Sequence, residues 1–145
     1  MIVIASDHAG FDLKQEIMDH LREQGVEFED VGTFNRESCH YPVFAEKAAR
    51  GVVDGTWEKG ILVCGTGLGM SMAANKIPGI RCALLSDCFS AEMARAHNDA
   101  NMMALGGRVI GPELAKRIVD TFLNTGFMGG KHELRVNMIR DLEKK

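Results

Sequence analysis

The feature that most constrains the fold is an alternation of short apolar runs with segments of helical periodicity. Five apolar runs occur, at residues 2–5, 26–31, 60–64, 82–85 and 102–105. Apolar residues spaced three or four apart predict helices at 11–24, 42–52, 67–76, 90–96, 112–122 and from 131. Continuously apolar strands separated by helices are typical of a parallel sheet that is covered on both faces. The sequence therefore predicts an α/β fold, a three-layer αβα sandwich on a five-stranded, doubly wound, Rossmann-like sheet.

Size and composition predict one soluble domain that spans residues 1–145. The chain is 46% apolar and 26% charged, with a net charge of −3, so neither nucleic acid nor an acidic membrane is an expected partner. No run is long enough to cross a bilayer, and no basic leader opens the sequence. The four cysteines form no C-x-x-C pair. We therefore expect a cytoplasmic protein with free thiols.

Three polar clusters follow predicted strands directly. They are Asp7-His8 after the first strand, the stretch 64–71 after the third, and Ser86-Asp87 after the fourth. In doubly wound sheets, ligands bind outside the carboxyl ends of the strands. The sequence therefore predicts that all three clusters lie at the edge of the sheet where ligands bind.

The stretch 64–71, C-G-T-G-L-G-M-S, carries glycines at alternate positions just after the most apolar strand. It is not a dinucleotide fingerprint, because Met70 stands where the third glycine of G-x-G-x-x-G belongs. It is not a Walker loop either, because no G-K-[ST] follows. Alternate glycines can turn main-chain N–H groups towards one point beside a helix N-terminus. That arrangement suits a phosphate or a reaction oxyanion. A tight strand-to-helix crossover that needs glycine only for packing is the alternative.

The cysteines divide by position. Cys64 stands where a strand meets a helix N-terminus, a place that favours the reactive thiolate, although a small apolar strand residue is the alternative. Cys82 fits that second description, inside an apolar strand. Cys39 and Cys88 have no evident partner in the sequence.

The histidines divide in the same way. His8 follows a strand and suits contact with an anion. His97 is either an acid that titrates near neutral pH or a helix cap. His20, between charged neighbours, is expected on the solvated surface. Near the chain's end, cations at 131, 132 and 135 begin a helix, where they oppose its dipole, and a bound phosphate would explain them. No group of these residues has the spacing of metal ligands.

The motifs together resemble type B ribose-5-phosphate isomerase, in a family that includes galactose-6-phosphate isomerase subunits. The resemblance covers the whole chain and rests on D-H-A-G-F (7–11), C-G-T-G-L-G-M-S-M-A-A-N-K (64–76), G-I-R (79–81), H-N-D-A-N (97–101), G-G-R-V-I-G (106–111) and G-G-K-H-E-L-R-V (129–136). It implies a cofactor-free and metal-free aldose–ketose isomerase that interconverts ribose 5-phosphate and ribulose 5-phosphate. It also implies a homodimer or a dimer of dimers, with the last helix at the dimer contact and with shared active sites.

The resemblance also implies roles for individual residues. Cys64 resembles the base that takes the C2 proton, and His97 the group that opens the furanose ring. The group that stabilises the cis-enediolate in the family corresponds here to the amides of Gly65, Thr66, Gly67, Leu68 and Gly69. Sugar hydroxyls would contact Asp7 and Asn98. The family's phosphate site corresponds here to His8, Arg108, Lys131 and Arg135.

Two positions depart from the family's common pattern. At position 131 a lysine replaces the common arginine, and the lysine keeps the charge but lacks the bidentate fork. At position 40 a histidine replaces the common aspartate. Both bear on which sugar is recognised, so tetrose, allose 6- and galactose 6-phosphates remain alternative substrates. A subunit that works only within a hetero-oligomer is the alternative from a different functional class, although the presence of Cys64 argues against it.

Overall fold

The computed structural model describes all 145 residues and contains one sheet of five parallel strands. The strands are β1 (Ile2–Ser6), β2 (Phe28–Asp30), β3 (Gly60–Cys64), β4 (Cys82–Leu84) and β5 (Met102–Gly106). Their order across the sheet is β2-β1-β3-β5-β4, and every neighbouring pair is parallel. The predicted five-stranded parallel sheet is confirmed, with the acidic strand β2 at one edge.

Helices cover both faces of the sheet. They are α1 (Phe11–Glu23), α2 (Tyr41–Val53), α3 (Leu68–Ala74), α4 (Cys88–Ala96), α5 (Pro112–Asn124) and α6 (Lys131–Leu142). Helices α1, α4 and α5 pack on one face, and α2 and α3 pack on the other. The three-layer, doubly wound architecture is therefore confirmed. None of the helices is long and apolar enough to span a bilayer.

Strand β3 explains why the apolar runs are continuous rather than alternating. Ile61 and Val63 belong to the core beneath α1, α4 and α5, whereas Leu62 and Cys64 belong to the core beneath α2 and α3. Successive side chains of a strand point to opposite faces, and here both faces are covered. Cys64 thus ends a fully buried strand and faces the layer that holds α3.

The order of the strands creates one crevice at the carboxyl edge of the sheet. The chain leaves β1 towards β2 on one side and leaves β3 towards β4 and β5 on the other. The helices that follow β1 and β3 therefore lie on opposite faces, and a gap opens between the ends of these two central strands. Residues directly after β1 and β3 border this gap.

Helix α6 differs from the other helices because Val136 is its only buried residue. Leu134, Met138 and Leu142 recur at i, i+4 and i+8 and are each more than 60% exposed in the single chain. The apolar stripe of α6 is thus not covered by the fold itself.

His20 does not lie on the solvated surface, so that expectation was wrong. Its Nε2 lies 2.8 Å from Oδ1 of Asp120, and the histidine side chain is only 15% exposed. The contact joins α1 to α5 across the outer layer. Its partner is 100 residues away in the sequence, so neighbouring residues gave no sign of it.

The core predicts a large difference between two phenylalanines. Phe122 on α5 is fully buried, whereas Phe89 on α4 is 71% exposed. We expect Phe122→Ala to lower the free energy of unfolding by about 3–5 kcal/mol, because it removes packing and leaves a cavity. Phe89→Ala is the matched control and should change it by less than about 0.5 kcal/mol. Urea denaturation measures both, and equal losses would contradict the assignment of the core.

Candidate active site

The crevice between the ends of β1 and β3 is a cavity of about 380 Å³. Nine residues from three loops and the first turns of two helices line it: Asp7, His8, Ala9, Tyr41, Cys64, Gly65, Thr66, Gly69 and Arg108. Seven of the thirteen residues predicted for the site are among them. The structure thus brings together the ends of β1, β3 and β5, the three central strands.

The Cys64 sulfur lies at the turn between β3 and α3. The Gly67 N–H donates a hydrogen bond to Cys64 Sγ at 3.1 Å, and Cys64 is only 4% exposed. Gly67 has a φ of +81°, in the left-handed region that glycine adopts without steric cost. The turn that follows the strand therefore directs an N–H group at the sulfur.

Three residues of the glycine turn line the crevice and have main-chain N–H groups without an acceptor in the chain. The Gly67 N–H is used by Cys64, and the Leu68 N–H donates to Thr66 Oγ1 at 3.2 Å. The N–H groups of Gly65, Thr66 and Gly69 have no acceptor within the chain. These three N–H groups are called the oxyanion nest below, as a candidate; the resemblance implied the amides of all five residues from 65 to 69. Leu68 itself does not line the cavity.

Tyr41 lines the crevice and was not predicted. Its ring packs over Gly69, where an added Cβ would lie 2.5 Å from Tyr41 Cε1, so only glycine admits the ring this closely. The signal in the sequence was Pro42, which begins α2 and places Tyr41 at its first turn. His40 precedes the helix, is exposed, and does not line the cavity.

Asp7 links the end of β1 to the end of β3. Its N–H donates to the carbonyl of Val63 at 3.2 Å, and its Oδ1 accepts the Gly10 N–H at 3.0 Å. The side chain is buried, with the residue 6% exposed, and Oδ2 has no partner within the chain. Asp7 thus presents one carboxylate oxygen as an acceptor for a ligand in the crevice.

The orientation of His8 depends on Cys39. The Cys39 N–H donates to His8 Nδ1 at 3.2 Å, and the Cys39 sulfur lies 3.8 Å from the same nitrogen. Because Nδ1 accepts, the ring proton resides on Nε2, which can donate to a ligand. This partner of Cys39 was not evident from the sequence.

Arg108 completes the crevice from the end of β5. Its N–H donates to the carbonyl of Gly65 at 2.9 Å, and the neighbouring Gly107 N–H donates to the carbonyl of Cys64 at 2.8 Å. These bonds continue the pairing of β3 with β5 past the strand ends. The guanidinium consequently lies beside Gly65, where it adds positive charge to the crevice.

His97 and Asn98 lie at the opposite edge of the sheet. They follow α4 and precede β5, and the Gly60 N–H donates to the carbonyl of Asn101 at 3.1 Å. This loop therefore lies beside the start of β3, whereas Cys64 ends it. Four residue steps of a strand separate the two edges by about 13 Å. The structure does not bring His97 or Asn98 to Cys64 of the same chain.

Lys131 and Arg135 lie on the helix that contacts His97, and neither lines the crevice. His132, between them on α6, stacks on His97 with the ring centroids 4.0 Å apart and the planes inclined by 10°. Desolvation, followed by the nearby charges of His97, Lys131 and Arg135, lowers the pKa of His132. The four predicted phosphate residues thus form two pairs, one at each edge of the sheet.

The third predicted cluster, Ser86-Asp87, follows β4 as expected but does not line the crevice. Asp87 caps α4, and its Oδ1 accepts the Ser90 N–H at 2.7 Å. The reason is the strand order: β4 lies at the edge of the sheet, with β5 between it and β3.

Comparison with known proteins identifies the family. Residues 2–139 match the family model described as Ribose/Galactose Isomerase. The chain belongs to this family. Among members of the ribose/galactose isomerase family, it is 48% identical over 144 residues to ribose-5-phosphate isomerase B of Escherichia coli K12, covering 99% of this chain and 97% of that protein. It is 44% identical to D-erythrulose-4-phosphate isomerase of Pectobacterium atrosepticum, covering 95% and 91%.

A solved structure of this isomerase family shares the fold closely. Ribose-5-phosphate isomerase B of Clostridium thermocellum superposes with a TM-score of 0.97 at 52% identity, covering 99% of this chain and 97% of that one. The backbone that forms the crevice is therefore a family feature.

The two cysteines nearest strand ends should differ in reactivity. Burial raises the pKa of the Cys82 thiol to about 12, whereas Cys64 lines the crevice and its sulfur accepts the Gly67 N–H. At pH 8 we expect iodoacetamide to alkylate Cys64 about tenfold faster or more, because the thiolate is the reacting species. Mass spectrometry of timed samples measures the rates. Faster alkylation of Cys82 would contradict this description, and Cys64→Ser controls for assignment of the labelled peptide.

Proposed function

We propose that this protein interconverts ribose 5-phosphate and ribulose 5-phosphate through a cis-enediolate. The observation that carries the proposal is the Cys64 sulfur in one crevice with three N–H groups that have no acceptor. Relatives named ribose-5-phosphate isomerase B at 48% and 52% identity support the choice of sugar. The protein is then an aldose–ketose isomerase, and cytoplasmic reducing conditions would keep its four free cysteines as thiols.

Cys64 is the proposed base. Isomerisation begins when a base removes the proton on the carbon next to the sugar's carbonyl group, and the same base can return it to the neighbouring carbon. A cysteine thiolate can act as a general base, and the Gly67 N–H, 3.1 Å from the Cys64 sulfur, helps to hold that sulfur at the crevice. The helix and strand that meet at this turn fix the position of the sulfur.

The oxyanion nest is the proposed stabiliser of the enediolate. Negative charge builds up on the carbonyl oxygen as the proton leaves, and N–H groups already directed at that oxygen lower the barrier. Gly65, Thr66 and Gly69 supply such groups without any rearrangement of the loop. The free Oδ2 of Asp7 would accept a hydrogen bond from a sugar hydroxyl. The proposed steps are proton transfers only, so they involve no metal ion or organic cofactor.

A second copy of the chain is proposed to complete each site. Ring opening is assigned to His97, hydroxyl binding to Asn98, and phosphate binding to Lys131 and Arg135 together with His8 and Arg108. The first four lie at the sheet edge opposite Cys64, so they can serve only a neighbouring copy. The exposed apolar stripe of α6 supports a homodimer or a dimer of dimers with shared sites.

A tetrose phosphate is the second candidate substrate. It is favoured by the 44% identical relative named D-erythrulose-4-phosphate isomerase and by Lys131, whose single ammonium group binds phosphate less rigidly than an arginine fork. Initial rates of the purified protein on ribose 5-phosphate and erythrose 4-phosphate decide between them. A higher kcat/KM for the tetrose would replace the pentose assignment.

Replacing the base should stop the chemistry but leave the fold intact. We expect Cys64→Ala to lower kcat on ribose 5-phosphate by about 100-fold or more, the typical contribution of a positioned base. Its thermal midpoint should stay close to that of the wild type. Cys82→Ala is the matched control, because Cys82 lies outside the crevice, and it should retain activity. Full activity of Cys64→Ala would reject the role of the cysteine.

Shared sites predict complementation between two inactive variants. Cys64→Ala and His97→Asn should each be inactive alone, because each removes one half of every site. When the two are co-expressed, mixed dimers carry one intact site, which restores about a quarter of wild-type activity if chains pair at random. Activity assays on the co-purified mixture measure this. No recovery would mean that Cys64 and His97 do not act across two chains.

A further inference from the structure

The loop that carries His97 and Asn98 is held by two arginines through its main chain. Arg81, just before β4, donates from Nη2 to the carbonyl of Asp99 at 2.7 Å and from Nε to the carbonyl of Asn98 at 3.2 Å. The planar guanidinium thus holds two successive carbonyl groups at once. A lysine could not span both, because its donors lie on a single nitrogen.

Arg95 holds the same loop from the side of α4. Its Nη1 donates to the carbonyl of Ala100 at 2.7 Å and to Asp99 Oδ1 at 2.9 Å, and its Nε donates to the carbonyl of Thr125 at 3.3 Å. The residue is only 8% exposed. Three consecutive carbonyl groups, from residue 98 to residue 100, are therefore bound by buried or partly buried guanidinium groups.

Asp99 is the point where these contacts meet. It is the only residue other than glycine with a positive φ, at 47°, a conformation that costs energy unless the surroundings hold it. Its carboxylate lies 2.9 Å from Arg95, 3.6 Å from Arg81 and 3.9 Å from Arg140. This position follows His97 by two residues, so the strained turn fixes the course of the chain beside that histidine.

We infer that Asp99 and Arg81 are positioning residues for ring opening, which they serve by holding the loop that presents His97 and Asn98. The inference rests on the proposed function, in which His97 acts on the furanose ring of a sugar bound by a second copy. Neither residue lines the crevice or contacts the reacting carbon. Their effect should therefore fall on the step assigned to His97 and spare the step assigned to Cys64.

The chemistry of the two sugars separates these steps. In ring opening, the proton leaves the C1 hydroxyl, the bond from C1 to the ring oxygen breaks, and the ring oxygen, which becomes the C4 hydroxyl, gains a proton. Ribulose 5-phosphate needs no such step: its C5 hydroxyl carries the phosphate, so it cannot close on C2. Exchange of its C1 proton with solvent requires deprotonation alone. Forward turnover from ribose 5-phosphate requires both steps.

Two variants test the inference without removing a large side chain. Asp99→Asn removes the charge but keeps a residue that tolerates positive φ, and Arg81→Lys keeps the charge but loses the fork. We expect each to lower kcat on ribose 5-phosphate by about 10- to 100-fold, as small misplacements of a reacting group do. Deuterium uptake at C1 of ribulose 5-phosphate in D₂O, followed by NMR, should change by less than about threefold.

Asp120→Asn is the matched control. The side chain of Asp120 is 33% exposed and that of Asp99 is 29% exposed. The control substitution removes the charge that contacts His20 across two helices, and it leaves the contacts of the loop 97–101 in place. It should leave both rates unchanged. Equal losses of turnover and exchange in Asp99→Asn would overturn the inference and make the cluster a purely structural support. Unchanged turnover would overturn it as well. A wild-type protein that catalyses neither process would instead reject the proposed function.

Discussion

The hydrogen bond from the Gly67 N–H to the Cys64 sulfur is the contact on which the crevice depends. It requires the left-handed turn at Gly67, and that turn begins α3 one residue later. The Gly67 N–H donates to sulfur and the Leu68 N–H to Thr66, whereas the N–H groups of Gly65, Thr66 and Gly69 have no acceptor in the chain. One local geometry thus holds the proposed base beside the proposed oxyanion nest.

Parallel strands impose the division of the site into two halves. Every helix that follows a strand returns the chain to the amino-terminal edge, so residues that end a helix lie a full strand length from those that end a strand. His97 ends α4 and Cys64 ends β3. No change of side-chain conformation closes a gap of about 13 Å. A site that uses both must be built from two chains, and α6, which carries Lys131 and Arg135, also carries the uncovered apolar stripe.

The sequence predicted what depends on local pattern and missed what depends on strand order and distant contacts. Apolar runs indicated four strands, a weaker and acidic segment indicated β2, and the position of Cys64 at a glycine turn indicated the crevice. Periodicity does not reveal that β4 lies at an edge of the sheet, which keeps Ser86-Asp87 out of the crevice. Cys39 meets His8 across 31 positions, a contact that no spacing indicates. The roles assigned from the family resemblance, including the split phosphate site, remain predictions.

The two halves of the proposed site make different demands on the sugar. The crevice of one chain acts on the carbonyl end, where every aldose presents the same groups to a base and to N–H donors. The length of the sugar matters only at the phosphate, which is proposed to lie between Arg108 of one chain and Lys131 of another. Sugar length is then read by the distance between two copies rather than by the shape of one cavity. On this proposal, Lys131 bears on the choice between a pentose and a tetrose phosphate, the two sugars for which relatives are named, and Cys64 does not.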